Sequence, residues 1–219
     1  MAYILNIETA TRNCSVSIAN DGENVIVKEI ATEAYSHAEK LHVFIREALE
    51  EANLSFQDLS AIAVSKGPGS YTGLRIGVSA AKGLCFALEI PLISIDTLEV
   101  LALQLNASDG IVVPMIDARR MEVYSAVFDT QTEHLGQVKA EIITADSYSG
   151  VDEKIHIVGD CQPKIKEVLS AGKFVYHDDI VYPSAREMAA VGFAKFQKSV
   201  FEDLAYFEPF YLKDFMIAR

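Results

Sequence analysis

No run of about 18 apolar residues occurs along the 219 positions, so the sequence offers no membrane-spanning helix. The opening residues, Met1 to Glu8, have no basic stretch and end on an acid; this is a poor secretory signal, and a cytosolic protein is expected. Cysteine is scarce. Cys14, Cys85 and Cys161 are far apart, odd in number and without a C-x-x-C, which excludes a disulfide framework and a local zinc site and leaves reduced core thiols. Positive charge is scarce too: 19 basic against 31 acidic side chains give a net charge of −12. A surface that negative repels a phosphate backbone, so the isolated chain should bind nucleic acid poorly.

Several reaction motifs are missing. There is no H-E-x-x-H, and none of the five histidines (His37, His42, His134, His156, His177) has another four residues away, so a helical two-histidine metal site is excluded locally. His37 and His42 point to different faces of a helix and are expected on the surface. There is no G-x-S-x-G, and so no support for serine hydrolase chemistry.

What remains is an ordinary folded composition, half hydrophobic, able to bury a sizeable core. Three strand patterns lead: Tyr3 to Thr9, Cys14 to Ala19 and Asn24 to Ile30, the last two joined by Asn20-Asp21-Gly22, which tolerates the positive φ of a hairpin. Ser36-His37-Ala38-Glu39 reads as a capping box for an amphipathic helix carrying Leu41, Phe44, Ile45, Ala48, Leu49 and Ala52. A buried strand, Ala61 to Ser65, then runs through a glycine-rich loop into a second helix from about Gly73, with Leu74, Val78, Ala81, Cys85 and Leu88 on its apolar stripe. A strand at Pro91 to Ile95 follows.

The second half repeats most of this βββαβα order. Ile111 to Asp117, Glu122 to Phe128, Val138 to Ile143 and Lys154 to Val158 are strand-like, and Ser184-Ala185-Arg186-Glu187 is a second capping box. Two lobes are expected, residues 1–106 and 107–219, with the last segment able to pack back on the first. Duplication would set Glu8 and Asp117 at matching strand ends across a cleft. As a structural alternative, acids at strand ends also cap turns.

The loop Ser65-Lys66-Gly67-Pro68-Gly69-Ser70-Tyr71-Thr72-Gly73 fails the Walker A pattern and misses the dinucleotide fingerprint by one position, where Thr72 stands. Pro68 removes a backbone donor. Two readings stay open: an anion held at the helix start by N–H groups of Gly67, Gly69 and their neighbours, or a tight strand-to-helix turn. Arg75, a cation in the first turn, opposes the helix dipole and calls for an acidic or phosphate neighbour unless it is simply solvated.

Taken together, Ile4 to Ala10, Ala61 to Val64, Gly67 to Gly77, Ala81 to Leu84, Asp96 to Glu99, Ile116-Asp117-Ala118-Arg119-Arg120, Glu122-Val123-Tyr124 and Pro209 to Lys213 closely resemble the bacterial TsaB (YeaZ) family. Lys213 departs from the arginine more usual there. The resemblance implies a two-lobe actin/Hsp70/sugar-kinase (ASKHA) fold. It also implies a non-catalytic role in making threonylcarbamoyladenosine (t6A) in tRNA, in support of the catalytic subunit TsaD and beside the ATPase TsaE, with tRNA met only through the complex. A homodimer is expected when the chain is alone. The TsaD metal-binding histidines align with Thr97 and Leu101, so no catalytic residue and no metal site is expected. No firmly bound cofactor is expected either; ATP or ADP would be shared at the partner interface, near Glu8, Thr9, Gly67, Gly69 and Asp117. Close packing through Leu74, Gly77, Val78 and Ala81, together with Ala80 and Gly83, is expected on the second helix, within the protomer or across an interface. The rival reading is an independent ATPase or sugar-kinase-like enzyme using Glu8 and Asp117.

Overall fold

The computed structural model describes residues 1–32 and 37–213. Three antiparallel strands open it: β1 (Tyr3–Glu8), β2 (Asn13–Asn20) and β3 (Glu23–Ala31). Asp21 and Gly22, at φ +49° and +91°, turn β2 into β3 in the left-handed region that their side chains tolerate. Helix α1 (His37–Glu51) buries Leu41, Ile45, Ala48 and Leu49; Ser36 of the expected capping box lies outside the described residues. His37 is a correction to the sequence reading. It is 1% exposed, with Nε2 2.7 Å from the Thr11 carbonyl oxygen, because the first turn of α1 sits on the chain leaving β1.

β4 (Leu59–Ser65) pairs parallel with β1, and α2 (Tyr71–Leu88) carries the chain to β5 (Leu92–Ile95) and the short α3 (Thr97–Ala102). α2 begins two residues before Gly73 because the Ser70 hydroxyl accepts from Gly73 N and caps it. The second half holds β6 (Ile111–Asp117), β7 (Glu122–Ser125), β8 (Lys139–Ile142), β9 (Ile155–Val158), α4 (Gln162–Lys166), β10 (Phe174–Tyr176) and α5 (Met188–Gln197). β7 stops at Ser125 rather than Phe128, which instead bridges back to Val112.

The sheets run β3-β2-β1-β4-β5 and β8-β7-β6-β9-β10, the same order twice. Where the first half has α1, the second has turns through residues 143–154. The second expected capping box does not form: α5 starts at Met188, and the Ser184 hydroxyl donates to the Glu29 carboxylate on β3 at 2.6 Å while accepting from Arg186 N at 3.2 Å.

Helices α1 and α2 cover one face of the first sheet over Leu5, Ile7, Val16, Ile62 and Val64. α5 covers the other, where Ala185 and Met188 meet Ile4, Ala61, Ala63, Ile93 and Ile95. The chain after α5 stays on the first lobe: Glu202 N donates to Leu92 O at 2.9 Å and Phe210 N to Lys66 O at 2.7 Å. At its end Lys213 pairs with Glu122 of β7. Among the described residues no helix is long and apolar enough to cross a membrane.

Candidate functional site

The glycine loop is built to let two segments of backbone touch. A Cβ at Gly69 would sit 2.4 Å from the Ala10 carbonyl oxygen, one at Gly73 2.1 Å from the Thr9 carbonyl oxygen, and one at Gly77 2.2 Å from Thr9 Oγ1. Gly73 and Gly77 lie on one face of α2 and Gly69 four residues before them in the loop, so the Thr9-Ala10 chain lies along a trough that no side chain could occupy. Thr9 Oγ1 donates to the Gly73 carbonyl at 2.8 Å and fixes the contact.

Three of the loop's donors are directed inward. Gly67 N donates to Thr97 Oγ1 at 3.1 Å, Ser70 N to Ala10 O at 2.7 Å, and Gly73 N to Ser70 Oγ at 3.3 Å. Of the two readings the sequence allows, the tight turn accounts for these groups. Thr97, aligned with one TsaD histidine, is fully buried; its hydroxyl lies 2.6 Å from Ser65 Oγ and holds the loop. Leu101, aligned with the other, is fully buried in the core that α3 shares with the second sheet. The Thr97 hydroxyl is engaged within the loop, and Leu101 carries no ligand atom. Among the described residues no acid forms an ion pair with Arg75: its guanidinium lies 5.2 Å over the Tyr71 ring and donates to the Tyr71 hydroxyl.

The two carboxylates at matching strand ends differ sharply. Glu8 has no exposed surface, and its Oε1 accepts from Ala10 N at 2.6 Å. Burial raises its pKa to about 7, against the opposing pull of the Ser65 hydroxyl and the Ala10 N–H. Asp117 is exposed and held by Lys164 Nζ at 2.5 Å and by Arg119 N at 2.9 Å. The structure does not bring the pair to one accessible site, since Glu8 is sealed inside the first lobe.

α2 has two distinct sides. Leu74, Gly77, Val78 and Ala81 are all buried within the protomer, Val78 and Ala81 in the core over the first sheet. The opposite side carries Thr72, Arg75, Ser79, Gly83 and Phe86, all exposed, with Phe86 at 80%. Space around a Cβ at Gly83 is open to beyond 4 Å. Beside this stripe a groove of about 260 Å³ runs between α2 and the C-terminal segment, lined by Tyr71, Arg75, Ser79, Lys82, Glu208 and Tyr211. Sequence reasoning missed this side because small residues at helical spacing signal close packing without saying on which flank it occurs.

Two sheets of identical strand order, each with its helices, define a two-lobe α/β protein of the actin/Hsp70/sugar-kinase type. YeaZ from Pseudomonas aeruginosa superposes with a TM-score of 0.83 over 97% of this chain and 100% of its own, at 24% identity. Residues 25–218 match the model of the family described as TsaD: tRNA N6-adenosine threonylcarbamoyltransferase. The chain belongs to this family, in its TsaB (YeaZ) branch. It is similar to the tRNA threonylcarbamoyladenosine biosynthesis protein TsaB of Bacillus subtilis, 35% identical over 69% of this chain and 66% of that one. It is also similar to the TsaB of Escherichia coli, 28% identical over 96% of this chain and 94% of that one.

Proposed function

We propose that the chain takes part in t6A biosynthesis as a non-catalytic subunit that binds and supports TsaD. The observation that carries this reading is the solvent side of α2. A helix long enough to dock, with small residues at Ser79 and Gly83 and an exposed aromatic at Phe86, has this side uncovered by the described residues. Thr97 and Leu101, both buried, support a role without chemistry of its own. The same face serves a homodimer when TsaD is absent, so the two assemblies compete. TsaE joins the heterodimer, and tRNA is met through the complex. A nucleotide, if the assembly holds one, sits at the joint surface, since the glycine loop's inward donors are taken.

Light scattering checks the surface. The wild-type chain is expected to be dimeric at micromolar concentration and to form a stable heterodimer with TsaD. Ser79→Arg and Gly83→Arg, both on exposed positions, are expected to leave the fold intact and weaken either assembly by at least ten-fold, since an unpaired buried charge is costly. A wild-type monomer that captures no TsaD, or variants that assemble like the wild type, would refute the reading. Activity is checked by reconstituting tRNA modification with and without this chain: product is expected only with it. Hydrolysis of magnesium ATP by the chain alone, lost in Glu8→Ala, would favour the kinase-like alternative.

A further inference from the structure

The hairpin joining β6 to β7 bends at Arg119 and Arg120, whose φ values are +71° and +56°. Two consecutive left-handed residues are the place for asparagine and glycine, because a Cβ crowds the backbone there. Here two long cationic side chains occupy it, on a chain whose net charge is −12. Both are exposed, and among the described residues neither guanidinium has a hydrogen bond or ion pair of its own.

The bend is braced from below. Lys164 Nζ, on α4, donates to Asp117 Oδ1 at 2.5 Å, to Arg120 O at 3.1 Å and to Glu122 O at 3.2 Å. Asp117 Oδ1 also accepts from Arg119 N at 2.9 Å, and Asp117 N donates to Asp160 Oδ1 at 2.8 Å. Lys213, arriving from the C-terminal segment, pairs with Glu122 and lies 5.9 Å over the Tyr124 ring. Of the neighbouring acids, Asp117 and Glu122 are each matched to a lysine and Asp160 is turned to the Asp117 N–H, and among the described residues the two arginines stand exposed without an ion pair on a fixed support.

We propose that Arg119 and Arg120 form a contact for the phosphates of an RNA strand. Adjacent guanidiniums bind phosphate oxygens in forked pairs, and a braced turn holds them with little ordering still to lose. The inference rests on the reading that this chain works beside a partner that acts on tRNA, since one small basic point on an acidic protein adds to binding only where other surfaces supply the rest. An acidic protein surface is the competing occupant.

The test uses the heterodimer with TsaD and an unmodified tRNA transcript. Arg119→Asn/Arg120→Gly places residues suited to the left-handed backbone at the bend. The variant is expected to melt about 2–4 °C higher than the wild type, because strain is relieved. Its complex is expected to assemble normally but to bind the transcript about ten-fold more weakly, with the slope of log affinity against log salt reduced by about 1 to 2. Arg119→Lys/Arg120→Lys is expected to keep most of the salt dependence. Unchanged RNA affinity in an intact complex would overturn the inference while leaving the subunit reading standing. Loss of the heterodimer in the absence of RNA would assign the tip to a protein contact and overturn it as well. A wild-type chain that forms no heterodimer would remove both.

Discussion

Replacing Glu8 with glutamine is expected to raise the melting temperature at pH 8 and leave it almost unchanged at pH 4.5. The carboxyl is sealed in the first lobe with its pKa raised from 4.5 to about 7, burial being the main cause. A raised pKa means that the folded state holds a proton which the unfolded chain has already released. The stability this group contributes is therefore fully present below about pH 4.5 and is lost as pH rises through about 7. By linkage the loss is about 2–3 kcal/mol, on the order of 5–10 °C for a chain of this size. Glutamine has the same shape, keeps an oxygen for the Ala10 N–H and carries no charge to bury, so the variant should hold its stability across that window. Thermal melts of both proteins from pH 4.5 to 8.5 decide the matter. An equal gain at every pH would mean that the effect is packing and not ionisation. Glu187, also raised to about 7 by burial, adds a fall of the same sign to both proteins and cancels in the comparison.

Gly73→Ala is expected to cost at least about 3 kcal/mol, and Gly83→Ala to gain up to about 1 kcal/mol, although both sit in the same helix. At Gly73 the new methyl would lie 2.1 Å from the Thr9 backbone oxygen, which cannot withdraw without moving β1 from its sheet. At Gly83 it would meet open space within the protomer, so the gain is the one expected of the dissociated chain. Gly77→Ala separates backbone from side chain, because its obstacle at 2.2 Å is Thr9 Oγ1. Removing that hydroxyl with Thr9→Ala should recover part of the loss at Gly77 and none at Gly73, a coupling that urea titration of the single and double variants would measure. Equal rescue at both positions would mean that the close approach of Thr9 does not set the packing of α2.

Much of the first lobe was legible because its local signals agree. The strand-like runs of β1 and β2, the Asp21-Gly22 turn and the apolar stripe of α1 each point to the element that forms. The resemblance carried by the glycine stretch and by Asp117 to Arg120 gave the family. Other features depended on tertiary partners that no local pattern encodes. His37 looked like a surface residue until the Thr11 carbonyl was folded onto it. Ser184 had the spacing of a cap, yet its hydroxyl lies within reach of Glu29, 155 positions earlier in the chain. Leu74, Gly77, Val78 and Ala81 announced a tight contact, and only the assembled fold shows what each meets within the protomer, Gly77 lying against Thr9 and Ile7. Glu8 and Asp117 occupy equivalent ends of β1 and β6, but the sequence could not say that one would be sealed and the other paired to Lys164.

The placement of α5 bears on how the molecule is made. Ile4, Ala61, Ala63, Ile93 and Ile95 form the back of a sheet that is written within the first 95 residues, while their cover, Ala185 and Met188, comes nearly a hundred residues later. On the ribosome that oily surface must wait, bare, until Ala185 and Met188 have been made, and a chaperone has its opportunity in that interval. A nascent chain stalled before Ala185 would carry a sheet with one wall missing.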